Sequence, residues 1–387
     1  MCAMFEGKDC MSPFSQPTDD PTIHSDARTA TIEGYYRFPA VWIGARPDAE
    51  TVRVLNPQVH HEVVLAKKLN CGIEVRAQRD GTFLFDFSSW PLAPSILVPG
   101  YRREANKPIP KEHSNKREEA EKYSAIRAQV MNVHQACLAT AQWQIKRSTH
   151  HMGFPVASCN TFKSISFSSD QLPYGDNTED FVALARNVLN NKDGVPGSRH
   201  PLPRLVIELN VVERSFELLD YILATTSDIV LTQMVEGVYI ATSRIYERRF
   251  GEAVTLAWSV CEQLISSAWV KLLDDTKTSG RLPKTRSGRL ESPDYTASVR
   301  IEILEFTGRI DYPLYRDLEV IRKARNNWGH NMKLPTERDA ILCVRVAESL
   351  LLQLKGISVS LHPASRSGVP SWWVWVWERM NPQSTQP

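Results

Sequence analysis

Nine consecutive residues, "RKARNNWGH" from Arg322 to His330, gather three cations, two Asn, a Trp, a Gly and a His. An imidazole has a reference pKa of about 6.5, so near neutral pH it can give or take a proton. A guanidinium stays charged and offers forked donors to a developing oxyanion. Acid–base chemistry on a substrate that builds negative charge is within reach of this pair. A hydrogen-bonded helix end with no chemistry is the alternative.

Spacing alone decides nothing between them. Arg53 with His60 and Arg127 with His134 repeat the Arg-then-His pattern elsewhere in the chain. The first lies in a β-like region, and the second lies inside a uniform helical pattern with no Asn after the Arg. The third match follows an amphipathic helix with Leu314, Leu318 and Ile321 on its apolar side, and Asn326 directly follows Arg325. Residues five apart on a continuous helix diverge by about 140°. Convergence of Arg325 and His330 therefore needs a bend or helix end near Gly329, and the break read at "NMKLP" places His330 near a helix end.

The elements around this stretch divide the chain. Residues 1–28 read as a disordered tail rich in Ser, Pro, Thr and Asp. Residues 29–97 form a small β-rich unit with the runs "TIEGYYRF", "ETVRVLN" and "EVVLAKKL". A hairpin, "GIEVRAQRDGTFLFDFS", turns at Asp80-Gly81, where a type I′ turn needs φ > 0 at both residues. Residues 98–210 hold a basic linker, a long helix and a mixed segment. Asn115 and Glu118 are placed to cap that helix, and its apolar stripe runs through Ala120, Tyr123, Ile126, Val130, Val133, Cys137, Ala141 and Ile145. "TFKSISFSS" is a candidate strand and "NTEDFVALARNVLNN" a short helix.

Residues 211–357 read as a bundle of about five helices. Ser227 and Ser292 are candidate caps, with Pro293 at a first helical position, and Thr336 caps the last helix. "GEAVTLAWSVCEQLISSAWVKLLDD" places Val254, Ala257, Trp258, Cys261, Leu264, Ile265, Ala268 and Leu272 on one face. Lys277, Arg281, Lys284, Arg286 and Arg289 fall in a basic segment read as a flexible loop. Residues 358–387 are Trp-rich, with Trp373, Trp375 and Trp377 alternating like a strand face. The fold class expected is α+β: an N-terminal β-containing domain, then an all-α helical bundle.

Composition narrows the function classes. A net charge of +2 on 387 residues gives no global field for nucleic acid, so such binding needs a local patch. The seven Cys are scattered without a C-x-x-C pair, and read as free thiols in a reducing cytosol. Lys8 and Asp9 interrupt any signal-peptide core, and no run reaches the ~18 apolar residues of a membrane span. The expected location is cytoplasmic, with no membrane role. His150-His151 lacks partners at metal-ligand spacing, and no Gly-rich phosphate loop or G-x-S-x-G occurs. Neither metal nor cofactor is expected.

In its C-terminal part, about 212 to 356, the chain resembles the HEPN superfamily. That family's hallmark is an Arg, a polar residue such as Asn, and a His a few positions on, after an amphipathic helix. "IRKARNNWGH" matches it, "AVTLAWSVCEQLI" resembles the family's upstream helix, and "LPTERDAILCVRVAESLLLQL" resembles its Pro and final helix. No resemblance covers residues 1–200.

The resemblance implies a dimerising helical domain that acts as a metal-independent endoribonuclease. Members serve in antiviral defence, toxin–antitoxin and abortive-infection systems, and the two motifs of a homodimer share one cleft. His330 would then be general acid/base for attack by the RNA 2′-OH, and Arg325 would stabilise the phosphorane. Asn326 would orient His330 or hold a phosphate oxygen. Glu262 matches an acidic position of the upstream helix and would support the site. Arg322 and Lys323, with the basic segment 277–289, are RNA-backbone candidates. An antitoxin or regulatory partner is also implied. Other members have lost catalysis, so the alternative is a non-catalytic dimerisation, sensor or partner-binding module.

Overall fold

The computed structural model describes residues 32–36, 41–45, 62–92, 111–146, 165–167, 205–225, 229–280, 284–290, 292 and 295–361. The N-terminal tail, the "ETVRVLN" run, Arg53 and His60, His150-His151, the helix at "NTEDFVALARNVLNN" and the Trp-rich segment lie outside the described residues.

The fold is α+β, with strands before a helical region. Strands β1 (Ile32–Tyr36), β3 (Val63–Lys68), β4 (Glu74–Gln78), β5 (Thr82–Asp86) and β6 (Ile165–Phe167) form one sheet in the order β3-β4-β5-β1-β6. All its pairings are antiparallel. Strand β2 (Val41–Ile43) pairs in parallel with β7 (Leu205–Ile207). The β4–β5 hairpin forms, but not with a two-residue I′ turn. Ala77 pairs with Phe83, which leaves the loop Arg79–Gly81. Only Gly81 has positive φ there, at 91°, as a three-residue loop requires. Asp80 Oδ1 accepts from Thr82 N at 3.1 Å and Thr82 Oγ1 at 2.7 Å, so the Asp serves the turn through its side chain.

Eight helices follow among the described residues: α1 (Lys111–Lys146), α2 (Leu209–Thr225), α3 (Val230–Tyr246), α4 (Phe250–Thr278), α5 (Lys284–Leu290), α6 (Ala297–Phe306), α7 (Tyr312–Asn331) and α8 (Glu337–Lys355). Helix α1 starts four residues before Asn115, because Lys111, Glu112 and their neighbours propagate helix without that cap. Ile229 stands at the start of α3, and Thr296, not Ser292, at the start of α6, neither with a side-chain cap bond; Ser227 lies outside the described residues. Thr336 does cap α8, in a reciprocal box with Asp339.

The single stripe expected on α1 is also corrected: Ile145, expected on it, is exposed near the helix end, and burial elsewhere is not confined to one face. From Val130 to Gln142 every residue of this helix is buried, on all sides. It lies between the sheet and helices α2 and α3. Several of its polar residues are matched across those contacts, as buried polar groups require, while Gln129 Oε1 and Gln142 Oε1 are buried without a partner among the described residues. Tyr35 Oη and His134 Nδ1 lie 2.7 Å apart, and His134 Nε2 lies 3.1 Å from Ser215 Oγ. Asn132 donates to Glu236 Oε1 at 2.7 Å, Tyr239 Oη donates to Gln135 Oε1 at 2.7 Å, and Arg127 Nε donates to Glu33 Oε1 at 2.5 Å. His134, with no exposure, is a core residue of this layer. The buried residues of sheet and helices form one continuous cluster.

The bundle directions follow from side-chain pairs. Cys343 Sγ sits 3.7 Å from Val254 O, and Lys355 Nζ donates to Ser267 Oγ at 2.7 Å, so α8 runs parallel to α4. Gln353 donates to Asp311 Oδ2 at 2.8 Å, at the start of α7, so α7 runs antiparallel to both. The described cysteines are free, with Cys137, Cys261 and Cys343 buried, and burial pushes the Cys137 and Cys261 thiols up. No described helix is long and apolar enough to cross a membrane.

Candidate active site at the end of a helix

Helix α7 opens cleanly. Asp311 Oδ1 accepts from Leu314 N at 2.8 Å, and Pro313 stands in the first turn, where a missing N–H costs nothing. Leu314, Leu318 and Ile321 are buried against the bundle. Along a continuous helix the same stripe runs on through Arg325 and Trp328. Arg325 is accordingly half-buried.

The expected helix end near Gly329 is found, in the expected break "NMKLP", with no interruption at Gly329 itself. The helix continues through Gly329 and His330 to Asn331, and the break falls at Met332, left-handed with φ 52°. Trp328 O and Asn327 O accept from Met332 N and Lys333 N, both at 3.1 Å, and these bonds hold the last turn helical. His330 thus lies in the final turn, about 140° around the axis from Arg325, and exposed.

Asn326 connects them. Arg325 Nη1 donates to Asn326 Oδ1 at 3.2 Å, which turns the guanidinium along the helix surface. Asn326 and His330 are four residues apart and so are neighbours on one face. Among the described residues, Arg325 meets no carboxylate and His330 has no hydrogen-bonding or ionic partner. Arg322 differs. It forms a two-pronged pair with Glu319, at 2.9 and 2.8 Å, which holds that carboxylate below its usual range. Lys323 is exposed on His330's side of the helix, two turns earlier.

Trp328 fixes the helix end in place. A Cβ at Gly251 would stand 2.6 Å from Trp328 Cε2, so the indole lies directly on the backbone at the start of α4. That position also fixes what is far away. Glu262 is 11 residues further along α4, about 16 Å, opposite the start of α7. Within one chain it does not reach Arg325 or His330. Lys277, ion-paired with Asp274 at 3.7 Å, is 26 residues along, about 39 Å. The basic segment is not wholly a loop: α4 extends to Thr278, and Lys284–Leu290 form α5. Trp269 Nε1 donates to Leu290 O at 3.1 Å, holding α5 toward that distal end. Arg286 and Arg289 are exposed there, and Arg281 lies outside the described residues.

What the fold does bring to the motif is the turn from Tyr246 to Gly251, which sequence reasoning did not single out. Arg244 pairs with Glu247, and with Glu252 at 3.6 Å; Arg249 pairs with Glu252, and with Glu247 at 3.7 Å. Arg248 between them is exposed. The signal available was "YERRFG", two adjacent arginines and a Gly between two helical patterns. Among the described residues no three His, Cys, Asp or Glu side chains are grouped to hold a metal ion. Comparisons with protein-family models, curated proteins and solved structures find no match to this chain.

Proposed function

We propose that this protein is a metal-independent endoribonuclease of the HEPN type, acting in the cytoplasm as a homodimer and serving as a defence or toxin effector. The observation that carries the reading is the Arg325–Asn326–His330 series at the end of α7. Arg325 is spent on Asn326 and not on a carboxylate, and His330 is exposed and unpartnered among the described residues. A salt-bridged helix end would have consumed the arginine, as Glu319 consumes Arg322.

In this reading RNA supplies its own nucleophile. His330 takes the 2′-OH proton, or gives one to the 5′ leaving oxygen. Arg325 balances charge on the phosphorane oxygens, steered by Asn326. The divergence of Arg325 and His330 on one straight helix favours a cleft completed by the second copy. The same divergence also favours a second reading, a non-catalytic dimerisation or partner-binding module.

Incubating the full chain with RNA in EDTA separates the two. Wild type should leave 2′,3′-cyclic phosphate ends, and His330→Ala should lose about 10²- to 10⁴-fold in rate. Equal cleavage by the variant sinks the role given to His330, and no cleavage by either protein leaves the non-catalytic reading.

A further inference from the structure

We propose that Arg248 is an RNA-backbone contact of the Arg325–His330 site, holding a phosphate beside the one that reacts; this rests on the ribonuclease reading above. Three observations converge on it. Arg248 follows Glu247, the cap of α3, with φ 61°, in a left-handed conformation that glycine fits without a Cβ clash. Its N–H bonds Ile245 O at 3.0 Å, and Arg249 N bonds Arg244 O at 2.9 Å, so the turn is fully formed around a residue poorly suited to it. Strain kept at an exposed position points to a use for the side chain.

The second observation is charge. Arg244 and Arg249 are held by Glu247 and Glu252. Arg248 has no ion pair with any described residue, and stands exposed beside this neutralised group. It is the cation of the turn left available to a phosphate.

The third is position. Gly251, three residues on, is covered by Trp328. Around the end of α7 the order is Trp328, Arg325, Asn326 and His330, and the Arg248 turn leads into Gly251 on the Trp328 side. A single strand crossing that arc would meet a cation at its first end and the acid–base group at its last. Phosphate binding needs only such local cations, and the segment 277–289 lies too far along α4 to supply them within one chain.

The test uses the full chain carrying His330→Ala, so that the probe survives, and a fluorescein-labelled single-stranded RNA of mixed sequence. Binding is read by anisotropy across a salt series. Arg248→Ala should weaken binding roughly fivefold and lower the salt slope by about one, with Arg248→Lys retaining most of it. Arg248→Gly, relieved of strain, should keep its fold and lose as much. Arg316→Ala, at the opposite end of α7, should bind like its parent.

Unchanged binding in Arg248→Ala and Arg248→Gly overturns the proposal, as does an equal loss in Arg316→Ala. Parent protein that binds no RNA overturns both this contact and the ribonuclease reading. If neither wild type nor His330→Ala cleaves RNA while Arg248→Ala still weakens binding, only the ribonuclease reading fails.

Discussion

The backbone N–H of Leu361 donates to Glu348 Oε1 at 2.6 Å inside the core, tying the chain after α8 back onto that helix. Burial pushes the Glu348 carboxyl up to about 7, against the opposing pull of this hydrogen bond and of Arg345. The folded protein therefore holds this proton more tightly than the unfolded chain. As pH rises from the ordinary carboxylate range to about 7, stability falls, and above that it is level. The loss through this group is on the order of 3 kcal/mol between pH 5 and 8. Glu348→Gln should remove that slope in thermal unfolding followed at both pH values. Parallel curves for variant and wild type would refute the assignment.

Trp328 and Gly251 should be energetically coupled. Adding a methyl at Gly251 forces the indole aside, so Gly251→Ala should cost about 1 to 3 kcal/mol. In a Trp328→Leu background the same change should cost much less. Urea unfolding of the four proteins gives the coupling, and simple additivity would contradict the packing.

Glu33 and Arg127 form a buried ion pair at 2.5 Å between β1 and α1. Arg127→Ala leaves a buried carboxylate alone and should cost about 3 to 5 kcal/mol. Replacing both, as Glu33→Gln with Arg127→Met, should cost less than the single change. Denaturant midpoints that rank the other way would show that the pair itself carries stability.

Asn326 sits on the helix surface, so its loss should act on activity and not on folding. Asn326→Ala should lower RNA cleavage about tenfold to a hundredfold, less than removing a direct donor. Its melting temperature should match or slightly exceed wild type, since Ala favours helix. Full activity in this variant would remove the steering role given to Asn326.

Periodicity made the helices legible, because each buries a repeating apolar face. The positions in α4 from Val254 to Ile265 are buried as the pattern required, and Ala268 and Leu272 are partly so. Caps were less legible. Asp and Thr at helix starts are common in loops too, and only tertiary packing selects which one is used. The all-round burial of α1 was hidden for a related reason. Asn132, His134 and Gln135 look like solvent-facing residues until their partners on other elements are known. At the candidate site, residue types were readable but direction was not. The break after His330 was legible in "NMKLP", but how Arg325 and His330 diverge around the last turn was not. The Arg248 turn carried only the weak signal "YERRFG", because the packing of Gly251 on Trp328 that brings it to the motif joins residues 77 apart in the chain.

The burial of α1 on every side has a consequence for cooperativity. This helix has no solvent face over its central turns, so neither the sheet nor α2 and α3 can detach without uncovering it. A shortened chain beginning at α2 would present the surfaces that α1 covers as open apolar patches and would self-associate. Sheet and bundle should melt in a single transition, and anything that loosens one should be felt thermodynamically by the other.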